Sequence, residues 1–400
     1  MIPDSAPLAI TGLGVWCAAG TSPEELHHNA LRGLPRATFG VSERPAIAVC
    51  QAPTPERSTH FPQIHRMDRS AQLALAAAHH AFHQARLADI DPTRIAILVG
   101  NSRGPAGLWT EPPTTRLRPT RAAHSAVASI SGALSLALRV RGPCLTLSAT
   151  CASAAHAIAM AACMIRGGIA DAVIAGGAEA PLAPGLLDQF TAAGIVGHGP
   201  TAADACRPFD QHRNGTVPGE GAAFLVLESE ANARRRGATI AARLAGAAMA
   251  AESHNRVAAR PDGDGLVRAM QLALAEARLE PEAIGYVNAH GTGTRVNDAA
   301  EAAALRRVFG TCTDTLPVSS TKAVTGHSFG AVAAVEAVIA IQTLRARLAP
   351  PSAACVHLDP TLGIRVLIDQ PAPLLSPAVM SNSLGFWGNT ASLIFIPAGE

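Results

Sequence analysis

Four residues sit in contexts that suit chemistry. Cys151 lies in "LSATCASAAHAIAMAACMI", where a short β-run ends and an apolar helix begins. The partial positive charge at a helix N-terminus favours a thiolate and lowers the thiol pKa. A strand-to-helix junction also holds the sulfur in a fixed position. Buried cysteines are more often small core residues, and that is the reading given to Cys17, Cys50, Cys144, Cys163, Cys206, Cys312 and Cys355. "YVNAHGTGT" ends a buried strand with His290, followed by a loop of small and hydroxyl residues, a position where α/β folds bind ligands. "SSTKAVTGHSFGAVAAVEAVIA" repeats the pattern with Lys322 and His327 in a loop leading into a helix. Nearness to that helix N-terminus should keep His327 neutral, able to donate or accept a hydrogen bond. Glu336 is the only charge between residues 328 and 342. A buried carboxylate needs a partner, and Lys322 is the expected one.

Three other patterns invite different chemistry. "GHSFG" at 326–330 matches the G-x-S-x-G nucleophile elbow with Ser328 as nucleophile. That motif needs a strand running directly into the serine, and here the loop "TKAVTG" intervenes; the later acid and histidine would be Glu336 and His357. "TGLGVWCAAG" has Gly12 and Gly14 but Cys17 in place of the third glycine of a dinucleotide fingerprint. His79 and His83 have the spacing to share a metal, without an acid or cysteine pattern beside them.

The elements that must position these residues alternate. "LAITGLG", "RIAILVG", "CLTLSAT", "DAVIAGGAE" and "AAFLVLE" read as strands, with helices over 68–87, 125–139 and 151–166. The rhythm then repeats with "ARLAGAAMAAE", a helix over 264–278, "IGYVNAHG", a helix over 298–308, "LPVSS", and a helix over 328–346. "IRVLID" and "SLIFIP" are the last strand candidates. Apolar runs separated by helices predict an α/β fold with parallel pairing, and the repeated order suggests an internal duplication. Near the end, "SNSLGFWGNTASLIF" reads as strand, glycine turn and strand, with Phe386 and Trp387 inside the turn although only 4% of the chain is aromatic.

Composition narrows the function classes. The 400 residues are 48% hydrophobic and 16% charged, with net charge +2. Such a balance gives no reason to expect nucleic-acid or membrane-surface binding. No apolar run of membrane-spanning length free of polar residues or glycine is read, nor a signal peptide. Scattered cysteines without CxxC spacing fit reduced thiols in a cytoplasmic enzyme.

Taken together, Cys151, His290, Lys322 and His327 resemble, in order and context, the β-ketoacyl-acyl-carrier-protein synthases (ketosynthases) of the thiolase superfamily. "MDRSAQLAL", "GGAEA", "RPFDQHRNGTVPGEGAAFLVLE", "NAHGTGT", "SSTKAVTGH" and the "NSLGF" loop extend the resemblance over essentially the whole chain. It implies a thiolase-like duplicated α/β unit in α-β-α-β-α layers. The half 1–238 would carry the cysteine and the half 239–400 both histidines. It also implies a dimer of identical subunits, or a heterodimer with a related one, and an acyl carrier protein as partner. Substrates would ride on the carrier's phosphopantetheine, with no other cofactor and no metal.

The implied reaction is decarboxylative Claisen condensation, in a fatty acid or specialised polyketide pathway. Cys151 stores the acyl group, His290 and His327 stabilise the malonyl-derived enolate, and Lys322 with Glu336 tunes them. Thr292 and Thr294 match pantetheine-contacting positions. Phe386 matches a gate that also gives its N–H to the oxyanion hole. Arg66, Arg69, Arg116, Arg118 and Arg121 are candidate docking cations for an acidic carrier.

Departures from the family pattern concern the substrate side. Leu384 replaces a phenylalanine, Trp387 replaces a glycine, Asn389–Thr390 is reversed, Thr216 replaces an aromatic, and the 254–264 region is longer. A bulky Trp387 would restrict the gate or reshape its pocket. The altered gate and Ser328 leave open an acyltransferase or hydrolase without chain elongation. A non-catalytic partner subunit is disfavoured, because Cys151 is intact.

Overall fold

The computed structural model describes residues 6–41, 44–56, 61–110 and 119–399. Among these, ten strands share one sheet. In chain order they are β1 (Leu8–Cys17), β2 (Ile95–Gly100), β3 (Cys144–Leu147), β4 (Ala172–Glu179) and β5 (Gly221–Ser229), then β6 (Ala242–Ala251), β7 (Ile284–Asn288), β8 (Val318–Ser319), β9 (Ala378–Leu384) and β10 (Asn389–Ile396). Their spatial order is β3-β2-β4-β5-β1-β6-β10-β9-β7-β8.

Each half follows the same rule. Its first strand pairs antiparallel with its fifth, the fifth antiparallel with the fourth, and the fourth, second and third run parallel. The halves meet where β1 and β6 pair antiparallel, Leu8 opposite Leu244. The repeat inferred from rhythm is thus a repeat of topology.

Helices divide the core into layers. α1 (Arg69–Gln84) and α2 (Ser129–Leu138) cover the outer face of the first half. α4 (Asp264–Ala277) and α5 (Arg295–Phe309) cover that of the second. Between the two halves lie α3 (Ser153–Arg166) and α6 (Val332–Ala346), whose alanines and branched residues join strands of both halves in one apolar cluster. Small side chains let these layers approach closely. Gly14 of β1 shows the limit, since a Cβ there would fall 1.9 Å from the Ala77 carbonyl oxygen of α1. Gly12 and Gly14 are therefore strand residues under a helix, and no dinucleotide turn exists at that place.

One strand expectation changes. "IRVLID" is no strand: β8 spans only Val318–Ser319 and offers Val366 a single bridge, through Val318 N–H to Arg365 O and Leu367 N–H to Val318 O. A partner so short cannot template a longer run. The stretch Phe329–Ala346 is long and apolar enough to cross a membrane, with mean hydropathy 1.5, but 89% of it is buried inside the fold as the α6 core helix.

Candidate active site

The nucleophile candidate sits on a strained elbow. After β3 the chain passes through Thr150, at φ 53°, before Cys151 and the start of α3. A left-handed φ costs a branched residue about 1–3 kcal/mol, and hydrogen bonds hold it there. Ser153 Oγ accepts from Ala149 N–H at 2.9 Å and donates to Thr150 O at 2.6 Å. Thr150 Oγ1 donates to the carbonyl of Phe386 at 3.1 Å, joining the elbow to the turn between β9 and β10.

The thiol does not behave as the helix dipole alone predicts. Burial pushes Cys151 up to about 12, against downward pulls from Lys322, Arg103 and the Phe386 N–H. With only 7% of the residue exposed, desolvation of a thiolate outweighs the charges that would favour it. The resting sulfur is a thiol and must lose its proton as it attacks.

Two imidazoles stand beside it. Cys151 Sγ and ring nitrogens of His290 and His327 lie within 4.8 Å of one another. The rings meet edge to face, with centroids 5.4 Å apart. Both pKa values are held well below the usual histidine range, first by burial and then by the Lys322 charge. Both rings are therefore neutral near pH 7, each offering one N–H and one lone pair. This agrees with the expectation for His327, but burial rather than the helix dipole is the principal cause.

Backbone bonds set the ring positions. Glu301 of α5 accepts from the N–H groups of His290 and Gly291, at 2.9 and 2.8 Å. His327 N–H donates to Val217 O at 2.8 Å, and its own carbonyl accepts from Gly219 at 2.9 Å. Lys322 and Glu336 form the expected pair, both fully buried. Burial raises Glu336 to about 7 against the opposing pull of Lys322.

A cavity of about 420 Å³ opens onto this cluster, lined also by Thr292, Thr294, Phe329 and Phe386. Thr292 and Thr294 bond each other through their hydroxyls at 2.9 Å. The β9–β10 turn approaches so closely that a Cβ on Gly385 would lie 2.1 Å from Thr150 Oγ1 and 3.0 Å from Cys151 N. Trp387 is placed otherwise than expected. Its backbone takes φ 62°, its N–H donates to Arg256 O at 2.9 Å, and its side chain is 68% exposed and absent from the cavity lining.

The sequence models for the beta-ketoacyl synthase N-terminal and C-terminal domains match residues 5–233 and 241–356. The chain belongs to the beta-ketoacyl synthase family. It is 32% identical over 414 residues to a 3-oxoacyl-[acyl-carrier-protein] synthase 2 of Staphylococcus aureus, covering 97% of each chain. Among solved structures it is similar to a type II PKS ketosynthase, bound to a hexaketide and in complex with its acyl-carrier protein, with TM-score 0.89 and 26% identity over 98% of this chain and 99% of that one. It is also similar to the ishigamide ketosynthase/chain length factor, with TM-score 0.88 and 28% identity over 98% of this chain and 99% of that one.

Several groups in this beta-ketoacyl synthase carry the site without having been singled out in the sequence. Glu301 supports the His290 turn, and Asp298 accepts from Phe209 N–H at 2.8 Å and Gly293 N–H at 3.2 Å. Glu179, pushed up to about 7 by burial, accepts from Ser102 N–H and Gly330 N–H at 2.6 and 3.2 Å. Glu179 and the Asp298–Phe209 bond join segments distant in sequence, whereas Glu301 and Asp298 also hold the loop just before their own helix.

The other candidates divide. Ser328 enters a tight turn, Phe329–Ala331, rather than leaving a strand, and His357 is held elsewhere, its N–H on Asp210 at 2.7 Å. His79 and His83 contact each other through their Nε2 atoms at 3.0 Å on α1, with no acid pattern. Arg69 is tied to Glu220 at 2.7 Å and to the Ala52 carbonyl, so it is not a free docking cation. Arg121 bonds the Leu108 carbonyl, Arg66 is exposed, and Arg116 and Arg118 lie outside the described residues.

Proposed function

We propose that the chain condenses an acyl group held on Cys151 with malonyl-acyl-carrier protein, releasing carbon dioxide and giving a β-ketoacyl-acyl-carrier protein. The observation that carries this reading is the buried grouping of Cys151 Sγ with two neutral imidazoles at the end of one cavity. In loading, Sγ bonds to the thioester carbonyl carbon, the carbon–sulfur bond to pantetheine breaks, and the thiol proton ends on the departing sulfur. A neutral imidazole lone pair is placed to relay that proton. The Phe386 N–H, which faces the sulfur, is assigned to the oxyanion hole.

In condensation the malonyl carboxylate leaves as carbon dioxide, and its electron pair forms an enolate. The N–H groups of His290 and His327 are assigned to the enolate oxygen, each worth about 3 kcal/mol to the barrier. The nucleophilic carbon attacks the acyl carbonyl, the bond from that carbon to Sγ breaks, and Sγ takes a proton from solvent to regenerate the thiol. Lys322, paired with Glu336, adds its charge to the burial that keeps both imidazoles neutral. Thr292 and Thr294 are assigned to the pantetheine arm.

The solved relative in complex with its acyl-carrier protein supports such a carrier as partner here. The carrier brings the phosphopantetheine, so no other cofactor and no resident metal enter the proposal. We divide the chain at 238/239, with the nucleophile in the first half and both histidines in the second. Localisation in the cytoplasm follows the synthases it resembles. Among the described residues the sheet ends on the first-half side at β3, where Leu145 is 48% exposed, and Leu136 of α2 is 69% exposed. Such an edge invites pairing, and we assign it to a second copy or a related subunit.

Mass spectrometry of the carrier after incubation with an acyl-carrier and malonyl-carrier tests the reaction. The expected product is an acyl group longer by two carbons with a β-keto group, abolished together with acyl-enzyme in Cys151→Ala. Acyl transfer without elongation would overturn condensation in favour of an acyltransferase or hydrolase.

A further inference from the structure

Arg103 is a cation without a visible counterpart. Its backbone is fixed, the N–H donating to Glu179 Oε1 and Asn101 Oδ1, both at 3.2 Å. Its guanidinium carbon lies 5.3 Å from the centre of the Phe190 ring, a cation–π contact. Among the described residues the head group makes no hydrogen bond or ion pair, and its buried Nε has no partner. A buried donor left unpaired is rare enough in native proteins to ask what fills it.

The column beneath it runs to the active site. Phe190 stacks on Phe329 at 4.4 Å, and Phe329 stacks on His327 at 4.6 Å. On the Arg103 side lies a second cavity of about 410 Å³, lined by Asn101, Ser102, Trp109, Leu186 and Gln189 as well as Arg103. Cys151, Ala106, Leu186, Phe190 and Phe329 belong to one apolar cluster, and Ala106 and Leu186 reach that second cavity. The path from the sulfur is thus apolar along its length and polar at its end. Phe329 holds a left-handed backbone at φ 41°, so the aromatic pair is seated on a strained turn that could part it.

We propose that Arg103 reads the far end of the acyl group: the chain loaded on Cys151 has an apolar stem and a terminal oxygen acceptor, a carboxylate or ketone, that pairs with the guanidinium in the second cavity. This rests on the acyl-loading role of Cys151. Opening the passage requires the Phe190–Phe329 stack to separate, and a chain long enough to cross it drives that change.

The test loads the full chain with acyl-carriers of matched length ending in methyl, ketone or carboxylate, following acylation of Cys151 by intact mass. An oxygenated chain should load faster than its alkyl counterpart by about tenfold or more, the scale of one charge-assisted bond. Arg103→Leu should bring that ratio close to one, and Arg103→Lys should keep a preference for carboxylate. Loss of a positive charge near the thiol would slow every chain alike and leave the ratio unmoved, so the ratio reads recognition. Preference for the carboxylate alone would assign an ion pair, and preference for both oxygenated chains a hydrogen bond. Equal or faster alkyl loading by the unaltered protein overturns the proposal even if Arg103→Leu does not fold. An unchanged ratio in a folded Arg103→Leu overturns it too. Absence of loading by any chain would sink the role of Cys151 itself.

Discussion

At the scale of single residues, the site is governed by desolvation. Burial keeps Cys151 protonated against the pull of nearby cations, and burial together with the Lys322 charge keeps His290 and His327 neutral. The histidines have a consequence for stability. In the unfolded chain they take up protons below about pH 6.5, whereas in the fold they do not. Stability therefore falls as pH drops through that value, by up to about 1.4 kcal/mol per pH unit for each histidine. Glu179, Glu301 and Glu336, raised to about 7, work the other way, since they bind protons in the fold before they would in the unfolded chain. The comparison that isolates the histidine effect is urea unfolding of the unaltered protein and His327→Gln between pH 7.5 and 5.5, where the variant should lose less stability on acidification. The candidate residues Cys151, His290, Lys322 and His327 were legible from their motifs. The acids that hold them were not: Glu179 acts on backbone groups that only the folded topology brings near, and Glu301 bonds backbone N–H groups of the preceding loop, which no side-chain spacing signals.

At the scale of elements, the turn between β9 and β10 shows how far a motif can be read. Its outline was clear from the glycines and flanking apolar runs, and Phe386 lies at the cavity as expected. Trp387 was read as restricting the gate or reshaping its pocket, and here the backbone overrules the side chain. A left-handed φ turns the indole outward, which spacing alone cannot reveal. Trp387→Gly should therefore leave selectivity among acyl chains unchanged and alter stability by no more than about 1 kcal/mol. A competitive loading assay over several chain lengths checks this, and a shift in preferred length would refute it. Gly385→Ala should behave in the opposite way. Its new Cβ would collide with Thr150 and crowd Cys151, so acyl loading should drop sharply at nearly unchanged global fold, as read by circular dichroism.

At the scale of the whole molecule, the proposed site sits on the seam of a repeated unit. The candidate nucleophile follows β3 of one half, and the two candidate imidazoles follow β7 and β8 of the other. The rhythm of strands and helices predicted the repetition, but only the strand order demonstrates it. The two outer edges of the sheet differ. β8 is capped by the Val366 bridge, whereas β3 is left open beside two exposed leucines. Placing charge there, as Leu145→Lys with Leu136→Asp, should convert an assembled protein to single chains, seen by sedimentation velocity. An unchanged assembly would place the interface elsewhere.

That open edge has a further consequence for ancestry. A ladder of peptide groups recognises any strand of suitable length, and side chains alone decide which one is welcome. After a gene duplication, a copy that lost its nucleophile could keep its place at the edge, because the backbone pairing asks nothing of the active site. Exclusive pairing with such a copy would then require only a few changes on the faces that carry Leu136 and Leu145. Partner choice and catalysis can therefore drift independently in this architecture.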